Sequence, residues 1–163
     1  MRTFSKYYAL AGLRIGYACV GENLKQLIEF SARYLGFNQL SEKIALAALD
    51  APEYYRTITR KIRVDKEMFL KGFSQLHGFT PFPSDANFIL VRYPVPLKRT
   101  LEEGLKQRGI IVKFLSDPGL EDCMRITIGT EEQNVCVMSA FNEITGGGLG
   151  KNFTHAQATV AKG

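Results

Sequence analysis

Lys6, with Ser5 before it and Arg14 eight residues beyond it, carries the clearest chemistry in this chain. A lysine amine becomes a nucleophile toward carbonyls once desolvation or nearby positive charge lowers its pKa. An arginine offers a planar fork of donors that matches a phosphate. Ser5 adds a hydroxyl beside the lysine, and Gly12 lets the backbone approach a ligand closely. Amine, fork and hydroxyl together suit a site for a phosphorylated aldehyde such as pyridoxal phosphate, joined to Lys6 as a Schiff base.

Two later positions add charge in unexpected settings. Arg125 stands in the middle of the otherwise apolar run Met124-Arg125-Ile126-Thr127-Ile128. A buried arginine there is costly unless an anion meets it. The alternative is an ion pair with an acid elsewhere in the fold. Lys113 follows Gly109-Ile110-Ile111-Val112. Pro83-Ser84-Asp85-Ala86-Asn87-Phe88 reads, taken alone, as a capped turn before a strand and carries no functional expectation.

These residues need elements to hold them. Residues 14–20 read as a short apolar strand closed by Gly21. Asn23 is expected to cap a helix through Leu24, Leu27, Ile28 and Ser31 that Gly36 stops. Ser41 is expected to cap a second helix, with Ile44, Ala45, Ala48 and Leu49 inward. Pro52 suits the first turn of a long third helix ending near His77-Gly78. Its core stripe is Ile58, Ile62, Met68, Phe69, Phe73 and Leu76. Past Pro81-Phe82-Pro83 the pattern gives a strand over 87–92 and a helix over 97–108 ended by Gly109. A strand over 110–115, a turn at Ser116-Asp117-Pro118-Gly119 and a strand over 124–128 follow. Thr130 and Gln133 have capping-box spacing for a last helix over 131–144. That order implies a small mixed sheet with helices packed on it. The Gly-rich, polar stretch 146–163 has little to bury and reads as a disordered tail.

Composition narrows the function classes. With 163 residues, 45% hydrophobic and 23% charged, the chain has room for about one domain with a real core. No run of roughly 18 apolar residues suggests a membrane span. The first residues lack a signal-peptide pattern, so a cytoplasmic location is expected. Cys19, Cys123 and Cys136 form no CxxC pair and read as reduced, mostly buried thiols. His77 and His155 have no ligand-spaced partners, so no metal site is expected. The net charge is +5, but the basic residues are interspersed with acids rather than gathered in a nucleic-acid stripe. The densest run, Arg56 to Arg63, reads as a solvated helix face, with a surface for acidic ligands as the lesser reading.

The stretch Thr3-Phe4-Ser5-Lys6-Tyr7-Tyr8-Ala9-Leu10-Ala11-Gly12-Leu13-Arg14-Ile15-Gly16-Tyr17 resembles the cofactor-lysine segment of fold-type I (class I and II) aminotransferases. The histidinol-phosphate aminotransferase branch is the best match. Pro83 to Phe88 and Met124 to Thr130 match later segments of the same family. The resemblance runs in order from residue 2 to about 144. It implies an α/β protein, here the C-terminal part of a fold-type I transferase: residues 1–50 a remnant of the large cofactor-binding domain, 51–145 a long linking helix and an α+β small domain, and 146–163 the tail.

By resemblance, Lys6 holds pyridoxal phosphate and moves a proton between substrate and cofactor carbons. Ser5 and Arg14 hold the cofactor phosphate. Arg125 binds the substrate carboxylate. Lys113 stands where an arginine usually faces the substrate phosphate, keeping the charge but losing the bidentate fork. Tyr7 occupies a place that is commonly small and is expected to crowd the turn. The implied reaction moves an amino group between L-histidinol phosphate and 2-oxoglutarate, in histidine biosynthesis. An aromatic or aspartate-type aminotransferase, or a decarboxylase of phosphorylated amino acids, is the alternative on the same fold. The family works as a homodimer on amino acids and 2-oxo acids. Its large domain, ahead of the lysine, supplies an aspartate for the pyridine nitrogen and a ring stacked on the cofactor. With the lysine at position 6, this chain is expected to be inactive alone. It would be a dead small domain, or one half of an enzyme completed by a separately encoded N-terminal half.

Overall fold

A computed structural model describes residues 2–24, 26, 28 and 38–146. Two compact units divide between Arg60 and Lys61, inside a long helix.

In the first unit β1 (Arg2–Thr3) pairs antiparallel with β2 (Gly16–Tyr17), with Thr3 opposite Gly16. A Cβ on Gly16 would lie 2.7 Å from the Arg2 carbonyl oxygen, so only glycine lets the strands approach this closely. The strand expected over 14–20 is therefore two residues long. Arg14 cannot extend it, because its φ of 52° is left-handed. Between the strands the chain doubles back: the Phe4 amide donates to the Ile15 carbonyl at 3.2 Å and the Leu10 amide to Phe4 at 3.0 Å. Phe4, Ile15 and Ala45 form a small core, with Tyr8, Leu10 and Leu13 packed on it.

Helix α1 (Gln39–Leu49) begins three residues earlier than the Ser41 cap implies. Its cap is Asn38, whose Oδ1 accepts from the Leu40 and Ser41 amides at 3.0 and 3.2 Å. Ser41 lies buried in the first turn and donates its hydroxyl to the Leu13 carbonyl at 3.2 Å, tying the helix to the Lys6 segment. The inward stripe is Ser41, Ala45 and Ala48, at i, i+4 and i+7, and Leu49 falls outside it, exposed. Asn23 lies within a 3-10 turn (Glu22–Leu24). Most of the helix expected beyond it lies outside the described residues.

Helix α2 (Pro52–Ser74) starts on Pro52 as expected and ends three residues before His77. Arg56, Arg60, Lys61 and Arg63 are all exposed on it, and Arg56 pairs with Glu53 one turn back.

The second unit carries a four-stranded sheet. Its strands are β3 (Thr80–Phe82), β4 (Phe88–Arg92), β5 (Lys113–Phe114) and β6 (Cys123–Thr127), in the order β3-β4-β6-β5. Every pair is antiparallel, so the sheet is not mixed: β6 inserts between β4 and β5. Strand β3 was not expected, because Pro81 at its centre reads as a break. As an edge strand it tolerates the missing N–H. Strand β5 is shorter than the apolar run 110–115, and Ile111 is exposed.

Alternation buries Ile89, Val91, Met124 and Ile126 on one sheet face. Against them pack Phe69, Phe73 and Leu76 from and just after α2, Leu101 and Leu105 of α3 (Lys98–Gln107), and Met138, Ala140 and Phe141 of α4 (Glu131–Thr145). The Thr130–Gln133 capping box forms as expected. Residues 147–163 of the expected tail lie outside the described residues. Of the three cysteines, which are all free, only Cys123 is buried; Cys19 and Cys136 are exposed, against the expectation of mostly buried thiols. Among the described residues no helix is long and apolar enough to cross a membrane, and no His/Cys/Asp/Glu group could hold a metal.

One acid in this unit sets a pH dependence. Burial, and then the charge of Glu131, push the Asp65 carboxyl above its ordinary value of 3.8, with a hydrogen bond from Asn134 and then Lys61 opposing. The folded state then binds this proton more tightly than the unfolded chain, so the ionised carboxylate costs stability above its folded pKa. The cost is relieved as pH falls toward 3.8. Asp65→Asn is expected to raise the melting temperature at neutral pH, and the gain over wild type to shrink on acidification. Melts of both proteins across that window check this; a gain independent of pH would contradict it.

Candidate active site

The candidate residues fall into two groups, one per unit. In the first, the β1–β2 ribbon and the chain between its strands form a recess of ≈ 400 Å³. Ser5 and Arg14, expected to act together, both line it, with Arg2 and Thr3. No acidic residue does. The Thr3 hydroxyl donates to Ser5 Oγ at 2.9 Å, and Thr3 Oγ1 accepts the Ser5 amide at 3.1 Å. Ser5 Oγ is thus already an acceptor, and its own proton remains for an anion. Arg14 donates from Nη1 to the Ala11 carbonyl at 3.1 Å, which fixes the guanidinium and leaves the rest of its fork.

Lys6 is exposed and is not among the recess-lining residues. Its carbonyl accepts the Ala9 amide at 3.0 Å, closing the turn after it. Ala9 and Arg14 are the described non-glycine residues with positive φ, at 55° and 52°. Such conformations cost of order 1–3 kcal/mol each and persist where the surroundings over-determine them. Here Ser41 and the Phe4–Ile15–Ala45 core do so.

Tyr7 does not crowd this turn. Its ring lies against Tyr8 and Tyr55, with centroids 4.9 and 5.6 Å away, as part of an aromatic series that Tyr54 continues. A Cβ at Gly12 would meet nothing within 4 Å, so open space adjoins that backbone.

The second group lies on the uncovered face of the sheet. Register places Lys113 directly opposite Arg125 on neighbouring strands, and Leu90 opposite Arg125 on the other side. Arg125 is exposed, because alternation along β6 turns it away from the core between buried Met124 and Ile126. The cost of burying it, expected from its apolar neighbours, does not arise. Like charges directly opposite one another are unfavourable unless an anion bridges them. Among the described residues neither Arg125 nor Lys113 has an acidic partner. The ion pair that was the alternative for Arg125 is therefore not found there.

Arg92, on the same face, differs. It pairs with Asp122 at 2.8 Å. Burial also pushes the neighbouring Cys123 thiol up, and Asp122 adds to that, so this buried sulfur is not a reactive thiolate.

Sequence reasoning passed over Phe88 and Ser84. The Arg125 guanidinium lies over the Phe88 ring, 5.3 Å from its centroid. Ser84 organises the turn before β4: its hydroxyl donates to the Phe88 carbonyl at 2.6 Å and its Oγ accepts the Ala86 amide at 3.1 Å. Lys66 donates to the Ser84 carbonyl at 2.8 Å. Only the register of β4 against β6 brings Phe88 to Arg125, and no local pattern reveals it.

Comparison with known proteins places the family. The family pattern of aminotransferase class I and II matches residues 1–141. A histidinol-phosphate aminotransferase of Roseiflexus castenholzii is 33% identical over 147 residues, which cover 88% of this chain and 40% of that relative. Histidinol-phosphate aminotransferase 2 of Archaeoglobus fulgidus is 34% identical over 145 residues, covering 88% and 42%. The crystal structure of histidinol-phosphate aminotransferase from Sinorhizobium meliloti in complex with pyridoxal-5'-phosphate superposes with a TM-score of 0.76 at 26% identity, over 88% of this chain and 40% of that one. The chain spans about 40% of the length of the relatives it matches. Since the family pattern takes in both the Lys6 segment and the Arg125 strand, the chain belongs to the aminotransferase class I and II family.

Proposed function

We propose that these residues serve a pyridoxal phosphate-dependent transamination, with L-histidinol phosphate and 2-oxoglutarate as the substrate pair. The observation that carries this reading is the acid-free recess lined by Ser5, Arg14 and Arg2, one residue from an exposed lysine. Its hydroxyl and guanidinium donors suit a phosphate. When bound, the cofactor supplies an electron sink for charge developing on the substrate carbon.

The chain's own groups do the rest. Ser5 and Arg14 anchor the phosphate. Lys6 would be the residue that holds the cofactor through its amine, and, when free, that amine would take and return the proton on the substrate carbon. Arg125 meets a carboxylate through its fork, and Lys113 beside it meets a second anion as a point charge. Their pairing across β5 and β6 supports two substrates used in turn, a donor carrying a phosphate and an acceptor carrying carboxylates.

In the family, the acid that partners the pyridine nitrogen lies ahead of the lysine in sequence, and residues 1–5 hold no acid. On this reading the 163 residues give no turnover alone. The protein acts as a cytoplasmic homodimer, or pairs with a separately encoded N-terminal half.

A chimera tests the substrate assignment: these residues joined to the N-terminal portion of the Roseiflexus castenholzii relative. Lys113→Ala is expected to lower kcat/KM for histidinol phosphate by roughly tenfold or more, the loss of one charged hydrogen bond. It should leave a donor without a phosphate nearly unchanged. Equal losses for both donors would count against a phosphorylated substrate.

A further inference from the structure

We propose that Phe88 is a positioning residue for Arg125, holding its guanidinium in the orientation that receives an anion. This rests on the reading of Arg125 as an anion-binding residue. The two arginines on the open sheet face make the contrast. Arg92 is held twice, by Asp122 at 2.8 Å and over the Phe82 ring at 5.5 Å. Arg125 has a ring but no acid: Phe88 at 5.3 Å, with no ion pair among the described residues. The acid's place beside Arg125 is open to a ligand, and the ring is the contact left to orient the fork.

An exposed arginine side chain samples many rotamers, and freezing them on binding lowers affinity. A ring that already restrains the guanidinium removes part of that cost. An aromatic ring also leaves the in-plane donors of a stacked guanidinium free for a carboxylate or phosphate. Phe88 itself is rigidly placed. Ser84 Oγ holds its carbonyl, and the preceding Asn87 carbonyl accepts the Ile128 amide at 2.9 Å. Phe88 faces Thr127 in the β4–β6 register, one diagonal step from Arg125. The turn from Ser84 thus reads as the support of an anion site rather than as a connection alone.

The test uses the 163-residue chain, with NMR observation of the Arg125 Nε–Hε group and titration with inorganic phosphate and 2-oxoglutarate. In wild type this signal is expected to show a ring-current shift and to move on titration. Phe88→Leu should abolish the ring-current shift and weaken anion binding roughly two- to fivefold, the range for an exposed cation–π contact. Phe88→Tyr should restore both. A merely structural role for Phe88 would not distinguish Tyr from Leu in the Arg125 signal while melting temperatures stay equal. If Arg125→Ala abolishes anion binding but Phe88→Leu leaves signal and affinity unchanged, the positioning role is wrong and the anion site stands. If Arg125→Ala leaves anion binding unchanged, the reading of Arg125 itself fails and the positioning role with it.

Discussion

Lys6→Arg in the chimera is expected to reduce amino transfer by roughly 10²–10⁴-fold or more, the range for removal of a positioned general acid–base group. The substitution keeps a positive charge next to Ser5, so the phosphate donors should be little disturbed. What it removes is a group that can attach to an aldehyde and then carry a proton, since a guanidinium stays protonated. Phosphate anchorage and proton transfer are thereby separated. The check is turnover at saturating donor, with the affinity for pyridoxal phosphate measured alongside. Turnover within tenfold of wild type would show that the proton is moved by another group. Arg14→Ala should give the opposite split, weakening cofactor affinity more than turnover of the loaded protein.

Phe73→Ala is expected to destabilise the second unit by about 3–5 kcal/mol, the cost of emptying a buried aromatic site. Phe73 is fully buried, and its ring lies 6.2, 6.0 and 4.9 Å from those of Phe69, Phe79 and Phe141. It joins α2 to α4 above the sheet. For a unit of about 100 residues each 1 kcal/mol lowers the melting temperature by roughly 4–8 °C, so the variant should be largely unfolded at temperatures where wild type is intact. Urea or thermal melts followed by circular dichroism measure this. A loss below about 1 kcal/mol would mean that the four rings are not one packed cluster. Phe88, on the open face and only half-buried, should show a far smaller stability change on truncation.

What the sequence revealed, and what it hid, divide along physical lines. The joining of Ser5 and Arg14 at one recess and the Thr130–Gln133 capping box were legible because they are local, written in residues a few positions apart. Helices α2 and α4 were legible because a 3.6-residue stripe repeats over several turns. Asn38 was missed as the cap of α1 because Ser41 is an equally good cap by type, and only its burial against Leu13 shows that it is already inside the helix. β3 was missed because Pro81 is a strand breaker everywhere but at an edge, and edge position is a property of the whole sheet. The apolar run around Arg125 suggested a buried arginine. The alternation that turns it outward shows only once β6 is known to carry helices on one face alone. Phe88 over Arg125 depends on cross-strand register, which no short motif encodes.

The central claim is that Lys6 is the residue to which pyridoxal phosphate attaches. The direct test is to incubate the 163-residue chain with pyridoxal phosphate, reduce with borohydride, and map the modified peptide by mass spectrometry. Near-stoichiometric modification of Lys6, lost in Arg14→Ala at the same cofactor concentration, is the result the account predicts. Label spread over Lys43, Lys61, Lys71 and the other exposed lysines with no preference for Lys6 would contradict it.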